Sequence, residues 1–271
     1  MVLDSVMNGQ SRTDKRTNHK RHRHRFGICV IYLLLVYLSL LPIACAFAED
    51  PDLPWLLPTP KDYPRIRTAG TRVADFVPRG WTIMGQASGS LKDGLSKDVV
   101  LVLKNNKRKF KYKDRDFGEF DTNPRMLVIL FRDSTTGAYR LAERSDTIIP
   151  IPDCPTMLEP FVGISIRNRI LCLKTQNWSS AGSWHCLQSS YKFRWQGNKF
   201  VLIGAEETDL WRSSGEESVC SYNFLTGKVK VTSGYFANQA GARWYRLLVK
   251  KPKPLSSFRR VYEWRTLGEY E

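Results

Sequence analysis

The stretch that decides the fold is residues 191–230, YKFRWQGNKFVLIGAEETDLWRSSGEESVCSYNFLTGKVK. At its start aromatic residues alternate with polar ones: Tyr191, Phe193 and Trp195 against Lys192, Arg194 and Gln196. This period of two places the aromatics on one face of a strand. Gly197-Asn198 predicts a hairpin turn, because both residues tolerate positive φ. A second alternating pair flanks Thr226-Gly227, so the stretch predicts four short strands. Their aromatics pack in a core or, alternatively, form a carbohydrate-stacking or peptide-binding face.

The same signals predict further strands on the N-terminal side, at residues 81–84, 98–104, 125–131, 139–142, 162–166, 169–174 and 183–195. About ten strands with few helices indicate an all-β, antiparallel meander, arranged as a sandwich or a propeller-like domain. The predicted organisation is a signal peptide (1–48), a Pro-rich linker (49–76), a β-domain (77–236) and a basic C-terminal tail (237–271). Where the linker meets the β-domain, residues 72–77 are expected to form one helical turn.

The N-terminal segment has the order of a secretory signal peptide. A basic tract precedes an uncharged apolar run, 26–41, and the small residues of Ala46-Phe47-Ala48 follow it. Cleavage is expected after Ala48, which predicts a periplasmic or secreted protein. One alternative is an inner-membrane anchor through residues 26–41, although a membrane span needs about 20 apolar residues. A lipoprotein modified at Cys45 is another.

The net charge of +16 indicates an anionic partner or, alternatively, serves only the solubility of the protein. Residues 1–48 contain seven Lys/Arg and two Asp, which leaves +11 for the rest of the chain. Two basic groups are predicted to form a binding surface: Lys107, Arg108, Lys109 and Lys111, together with Arg243 and Arg246. Such a surface would attract an envelope protein or an anionic polysaccharide or lipid. Charge alone would also permit weak nucleic-acid binding, but export argues against that partner.

Four cysteines remain after signal cleavage, and an even number in an exported protein favours disulfides. Cys172 and Cys186 lie symmetrically about Ser179, so a hairpin centred there would pair them, and Cys154–Cys220 follows by elimination. The alternative is four buried free thiols. A zinc site is not expected, because no two of these cysteines are close in sequence and only His185 could join them.

Several segments taken in order resemble the exported bacterial proteins related to FG-GAP (VCBS-type) repeats. They are VPRGW (77–81), DVVLVL (98–103), RMLVILF (125–131), YKFRW with VLIG (191–195 and 201–204), and YNFLTGKV (222–229). The resemblance implies a β-rich, periplasmic or surface-located, non-enzymatic protein. The calcium-type loop of that family corresponds to residues 90–98. Ser90 and Lys92 replace oxygen-donating ligands there, so the loop is expected to keep its turn without a metal, and Asp98 to be a turn or strand-start residue.

No catalytic, cofactor-binding or metal-binding residue is predicted. The sequence lacks G-x-S-x-G, Walker and G-x-G-x-x-G motifs, and His185 is the only histidine after residue 48. The leading hypothesis is therefore an exported β-domain that binds a partner without catalysis. The alternative is an envelope hydrolase that uses an acidic cluster between residues 206 and 217: Glu206, Glu207, Asp209, Glu216 and Glu217.

Overall fold

The computed structural model describes residues 56–92, 96–235, 238–239, 241–248, 253–259 and 270. These residues form antiparallel sheets joined by turns and a few short 3-10 helices. The predicted all-β antiparallel class is confirmed. Within the described ranges, no helix is both long and apolar enough to cross a membrane. The predicted signal peptide, 1–48, lies outside them.

The first sheet contains β1 (Ala69–Gly70), β2 (Trp81–Gly89), β3 (Asp98–Asn105), β6 (Arg125–Arg132) and β7 (Tyr139–Ser145). Its strand order is β1-β7-β6-β3-β2. Between β3 and β6 the chain makes a separate two-stranded hairpin, β4 (Lys111–Asp114) and β5 (Gly118–Asp121). The apolar segments that predicted strands at 98–104 and 125–131 become the two central strands.

The second sheet is a meander in which consecutive strands pair antiparallel. It contains β8 (Phe161–Arg167), β9 (Ile170–Trp178), β10 (His185–Gln196), β11 (Lys199–Trp211), β12 (Glu216–Asn223) and β13 (Lys228–Tyr235). Two short strands, β14 (Asn238–Gln239) and β15 (Arg243–Arg246), pair with opposite ends of β13. The predicted hairpin at Gly197-Asn198 is confirmed, with φ values of 54° and 59°.

The main core lies between the two sheets. Val100 and Leu127 of the first sheet belong to one buried cluster with Tyr191, Phe193 and Phe200 of the second. The predicted aromatic face of β10 is therefore a core face. Strands β2 and β8 come so close that a side chain at Gly85 would not fit, because its Cβ would lie 2.8 Å from Cζ of Phe161.

A second core covers the other face of the first sheet. Phe76, which is 1% exposed, and Trp81 pack there on Leu101 and Val128. Partly buried residues of the preceding segment add to this cluster: Tyr63, Ile66, Val73 and Val77. The predicted helical turn is a 3-10 helix, Val73–Phe76. The described part of the predicted linker thus forms a layer over the sheet, which explains why β3 and β6 are apolar on both faces.

Arg125 is a buried cation at the start of β6. Its guanidinium donates to both carboxylate oxygens of Glu159, at 2.6 and 2.9 Å, and to the carbonyl of Pro150 at 2.7 Å. Its side chain is 0% exposed, whereas that of Glu159 is 42% exposed. Burial lowers the pKa of Arg125, and the negative charge of Glu159 opposes that shift. The ion pair joins the first sheet to the loop before β8.

The predicted disulfides are wrong, because Cys154, Cys172, Cys186 and Cys220 are all free thiols. The β9–β10 hairpin is centred at Gly182 rather than Ser179. Cys172 therefore lies opposite Lys192, and Cys186 opposite Trp178. The two cysteines are therefore offset by six residues along the paired strands, which corresponds to about 20 Å. This distance is far beyond the reach of a disulfide.

Candidate functional site

The second sheet has two faces with different chemistry. We call the face that carries Tyr191, Ala205 and Val229 the inner face, because these side chains are buried in the main core. Side chains alternate along each strand, so the residues between them belong to the outer face. The inner face becomes exposed toward one end, where Trp211 and Tyr235 are 37% and 56% exposed. Both faces therefore offer accessible surface.

The described ends of the loop that resembles a calcium site are held together by hydrogen bonds to Asp98, while residues 93–95, where its turn was expected, lie outside the described ranges. One oxygen of this buried carboxylate accepts from the backbone NH of Leu91 at 2.8 Å. The other accepts from Oγ of Ser96 at 3.1 Å and from the backbone NH of Arg132 at 3.0 Å. The prediction that Asp98 begins a strand is confirmed. Its carboxylate holds the loop against β6.

The six residues of the predicted basic surface do not share one face. Lys107, Arg108, Lys109 and Lys111 lie just before the β4–β5 hairpin or at its start, whereas Arg243 and Arg246 lie on β15 of the second sheet. Arg243 is paired with Val231 and Arg246 with Lys228. Because the two arginines are three residues apart, they project from opposite faces of the sheet. The predicted single surface is therefore wrong, because one group lies at the β4–β5 hairpin and the other on the second sheet, and the period of two separates the two arginines.

Two of these lysines are also paired with an acid. Nζ of Lys107 and of Lys109 lie 3.4 and 2.9 Å from the same oxygen of Asp62. Burial of Asp62 disfavours its charged form, but the hydrogen bond and charge of Lys109 and the hydrogen bonds from Thr59 outweigh it and lower its pKa well below the usual range. The lysines therefore hold the N-terminal layer in place and offer less charge to a partner.

Asp62→Asn is expected to make the protein less sensitive to acid. A carboxyl with a lowered folded-state pKa contributes stability above its unfolded pKa, and this contribution is lost as the pH falls below about 4. Urea unfolding of both proteins at pH 7 and pH 3 measures the effect. The variant should be less stable than the wild type at pH 7 and lose less stability on acidification. If wild type and variant lost the same free energy of unfolding between pH 7 and pH 3, the role given to Asp62 would be contradicted.

The outer face of the second sheet carries a basic surface that sequence reasoning missed. Residues that lie opposite one another on neighbouring strands form rows across the sheet. Two adjacent rows of this face contain five cations and one carboxylate. The cations are Lys174, Lys192, Lys228, Lys230 and Arg246, and the carboxylate is Glu206. We call this set the outer basic surface. Its residues come from five strands, so no local charge run reveals them; the strand register was the only signal.

An exposed tryptophan lies on the outer basic surface. Trp244 is 64% exposed and is directly opposite Lys230. It borders a hollow of about 490 Å³ whose other lining residues are Ser221, Asn223, Thr226 and Lys228. An aromatic face, hydroxyl and amide groups and a cation thus meet in one place. Asn223 is fixed there, because its side-chain oxygen accepts from the backbone NH groups of Leu225 and Thr226, at 3.1 Å each.

The predicted acidic cluster is divided between the two faces. The register places Glu206 and Glu217 in rows of the outer face, and Glu207, Asp209 and Glu216 in rows of the inner face. His185, the histidine singled out in the sequence, lies beside this inner group. Its Nδ1 is 3.0 and 3.2 Å from the two oxygens of Asp209. The five acids therefore do not all face one side of the sheet, although Asp209, Glu216 and Glu217 line one pocket.

No family model, curated protein or solved structure matches this chain. The resemblance to FG-GAP-related proteins thus stays a prediction from the sequence. What the site can do must be argued from its own residues.

Proposed function

We propose that this protein is a non-catalytic binding domain whose outer basic surface binds an acidic polysaccharide. The observation that carries the proposal is the position of Trp244, exposed beside Lys230 at the hollow lined by Ser221, Asn223, Thr226 and Lys228. An aromatic face packs against the apolar face of a sugar ring, and hydroxyl and amide groups bond to its hydroxyls. The lysines attract its carboxylate or sulfate groups.

The shape of the surface also favours an extended polymer. The two rows cross strands β9 to β13 and β15, so the cations follow one another across the sheet rather than surround one point. A chain with regularly spaced anionic groups can contact several of them at once, which raises its overall affinity. A single small anion would meet only one or two.

The compartment belongs to the same proposal. Residues 1–48 have the order of a signal peptide, which supports a periplasmic or secreted location with an envelope glycan as partner. The even number of cysteines no longer supports it, because the four cysteines in the described ranges are unpaired. Export is therefore supported by the order of residues 1–48 and by the resemblance to exported proteins.

Binding of polygalacturonate, measured by isothermal titration calorimetry, tests the function. The wild type should bind this acidic polymer, with affinity falling as salt screens the charges, and should bind neutral dextran much more weakly. The double variant Lys228→Gln/Lys230→Gln should bind about tenfold more weakly, because each exposed charge contact contributes roughly 0.5–1 kcal/mol. Trp244→Ala should cost a similar factor through lost stacking.

Lys107→Gln/Lys109→Gln is the matched control, because it removes the same charge from the other basic group. It should leave the affinity nearly unchanged. Equal losses in both double variants would show that net charge alone attracts the polymer and would overturn the site. Tighter binding of a single-stranded DNA oligonucleotide than of polygalacturonate would overturn the proposed ligand class.

A further inference from the structure

The exposed end of the inner face contains a second pocket, on the opposite side of the sheet from the outer basic surface. Its volume is about 470 Å³, and side chains of β10, β11, β12 and β13 line it. Trp211 and Tyr235 form its two aromatic walls, and Glu216, Asp209 and Ser218 lie between or beside them. This pocket has no part in the function proposed above.

The strand register sets the distance between the aromatic walls. Glu216 of β12 is directly opposite Trp211 of β11 on one side and Tyr235 of β13 on the other. Two strand spacings separate the walls, which amounts to about 10 Å between their backbones. If the two rings stand upright over these backbones, a cation midway between them lies about 5 Å from each, within the roughly 6 Å range of cation–π attraction. Glu216 belongs to the same row, between the two aromatic residues.

The Trp211 wall is held in place by a neighbouring pair. The imidazole of His185 packs edge-on against the Trp211 ring, with centroids 4.2 Å apart and planes at 84°. Asp209 in turn holds His185 through Nδ1, at 3.0 Å. The indole therefore has a supported orientation although it is 37% exposed. Because the ring is already held in place, less conformational entropy is lost when a ligand binds and orders the site.

The charge of the pocket is opposite to that of the protein. In a chain of net charge +16, the described residues that line it include Asp209 and Glu216 but no lysine or arginine. Glu216 makes no ion pair within the described part of the chain. The carboxylates and the electron-rich aromatic faces all favour a positive ligand, and they disfavour the acidic polymer assigned to the other face.

We propose that this pocket binds a methylated ammonium group, the head of a choline-type or trimethylammonium ligand. Aromatic walls around a carboxylate are the chemistry that recognises quaternary ammonium ions. A primary ammonium is more strongly hydrated and loses more on entering such a pocket. The methyl groups of a quaternary ion instead contact the faces of Trp211 and Tyr235, while Glu216 supplies the counter-charge.

Titration with tetramethylammonium chloride, followed by saturation-transfer NMR of its methyl protons at constant ionic strength, tests the site. The wild-type chain should show saturable transfer, and n-butylammonium should bind more weakly. Trp211→Ala and Tyr235→Ala should each weaken tetramethylammonium binding about fivefold to tenfold. Glu216→Gln, an isosteric change at an exposed position, should weaken it by a similar factor without altering the melting temperature.

Two outer-face variants are the controls. Glu206→Gln removes the same charge from β11, and Trp244→Ala removes an exposed indole, so neither should change the titration. Absence of saturable transfer, or equal transfer in wild type and Glu216→Gln, would overturn the proposal. Tighter binding of n-butylammonium would overturn the assignment to a methylated head group. The Glu216→Gln variant should bind the polysaccharide with the same affinity as the wild type. The two proposed sites can therefore be tested, and either one disproved, independently of the other.

Discussion

Arg125→Ala is expected to lower the free energy of unfolding by about 3–4 kcal/mol, the largest loss for any single charged residue described here. The guanidinium fills a fully buried position and bridges Pro150 and Glu159. Its removal leaves the Pro150 carbonyl without this donor and opens a cavity between the first sheet and the loop before β8. Urea unfolding monitored by tryptophan fluorescence measures the change.

Two comparisons separate charge from packing at Arg125. Arg132→Ala changes the last residue of the same strand, which is exposed, and should cost less than about 1 kcal/mol. Arg125→Met refills the volume without a charge. It should restore much of the stability, because a buried ion pair replaced by a well-packed apolar side chain is often nearly neutral, and the half-exposed Glu159 can be hydrated. A loss in Arg132→Ala equal to that in Arg125→Ala would contradict this role.

Phe76→Ala is expected to cost about 3–4 kcal/mol, as for other fully buried phenylalanines. The side chain is 1% exposed and packs on Leu101 and Val128 of the first sheet. Its loss should loosen the whole N-terminal layer, since this residue ends the 3-10 helix Val73–Phe76. Urea unfolding gives the cost, and limited proteolysis should show new cleavage between residues 60 and 80.

Phe117→Ala is the matched control for Phe76→Ala. Phe117 is 50% exposed between the strands of the β4–β5 hairpin, so the same substitution there should cost less than about 1 kcal/mol. If Phe76→Ala were equally mild, the segment before β2 would behave as the linker that its prolines predict.

Local signals explain which parts of the fold were predictable. The alternation of Tyr191, Phe193 and Trp195 and the turn at Gly197-Asn198 act within a few residues, so they predicted β10, β11 and their hairpin. The apolar runs in β3 and β6 predicted central strands in the same way. None of these signals specified what would cover each face, and the five prolines between residues 51 and 64 gave no sign that Tyr63 and Phe76 would pack on the sheet.

The candidate sites were less predictable, because they depend on register. The symmetry of Cys172 and Cys186 about Ser179 suggested a disulfide, but the β9–β10 turn lies three residues further along. The acidic cluster between residues 206 and 217 looked like one group, and the alternation of side chains divides it between two faces. An error of one residue in register exchanges the faces of a strand, and sequence spacing does not resolve such an error.

The sequence by itself determined the longer strands, the antiparallel class and the excess of positive charge, because strand period, turn chemistry and composition are local properties of the chain. Only the tertiary structure decided that Lys174, Lys192, Lys228 and Lys230 share one face with Trp244, and that Trp211, Glu216 and Tyr235 form a row on the other. The physical reason is that neighbours across a sheet are set by the hydrogen-bond register between strands, which the spacing of residues in the sequence does not fix.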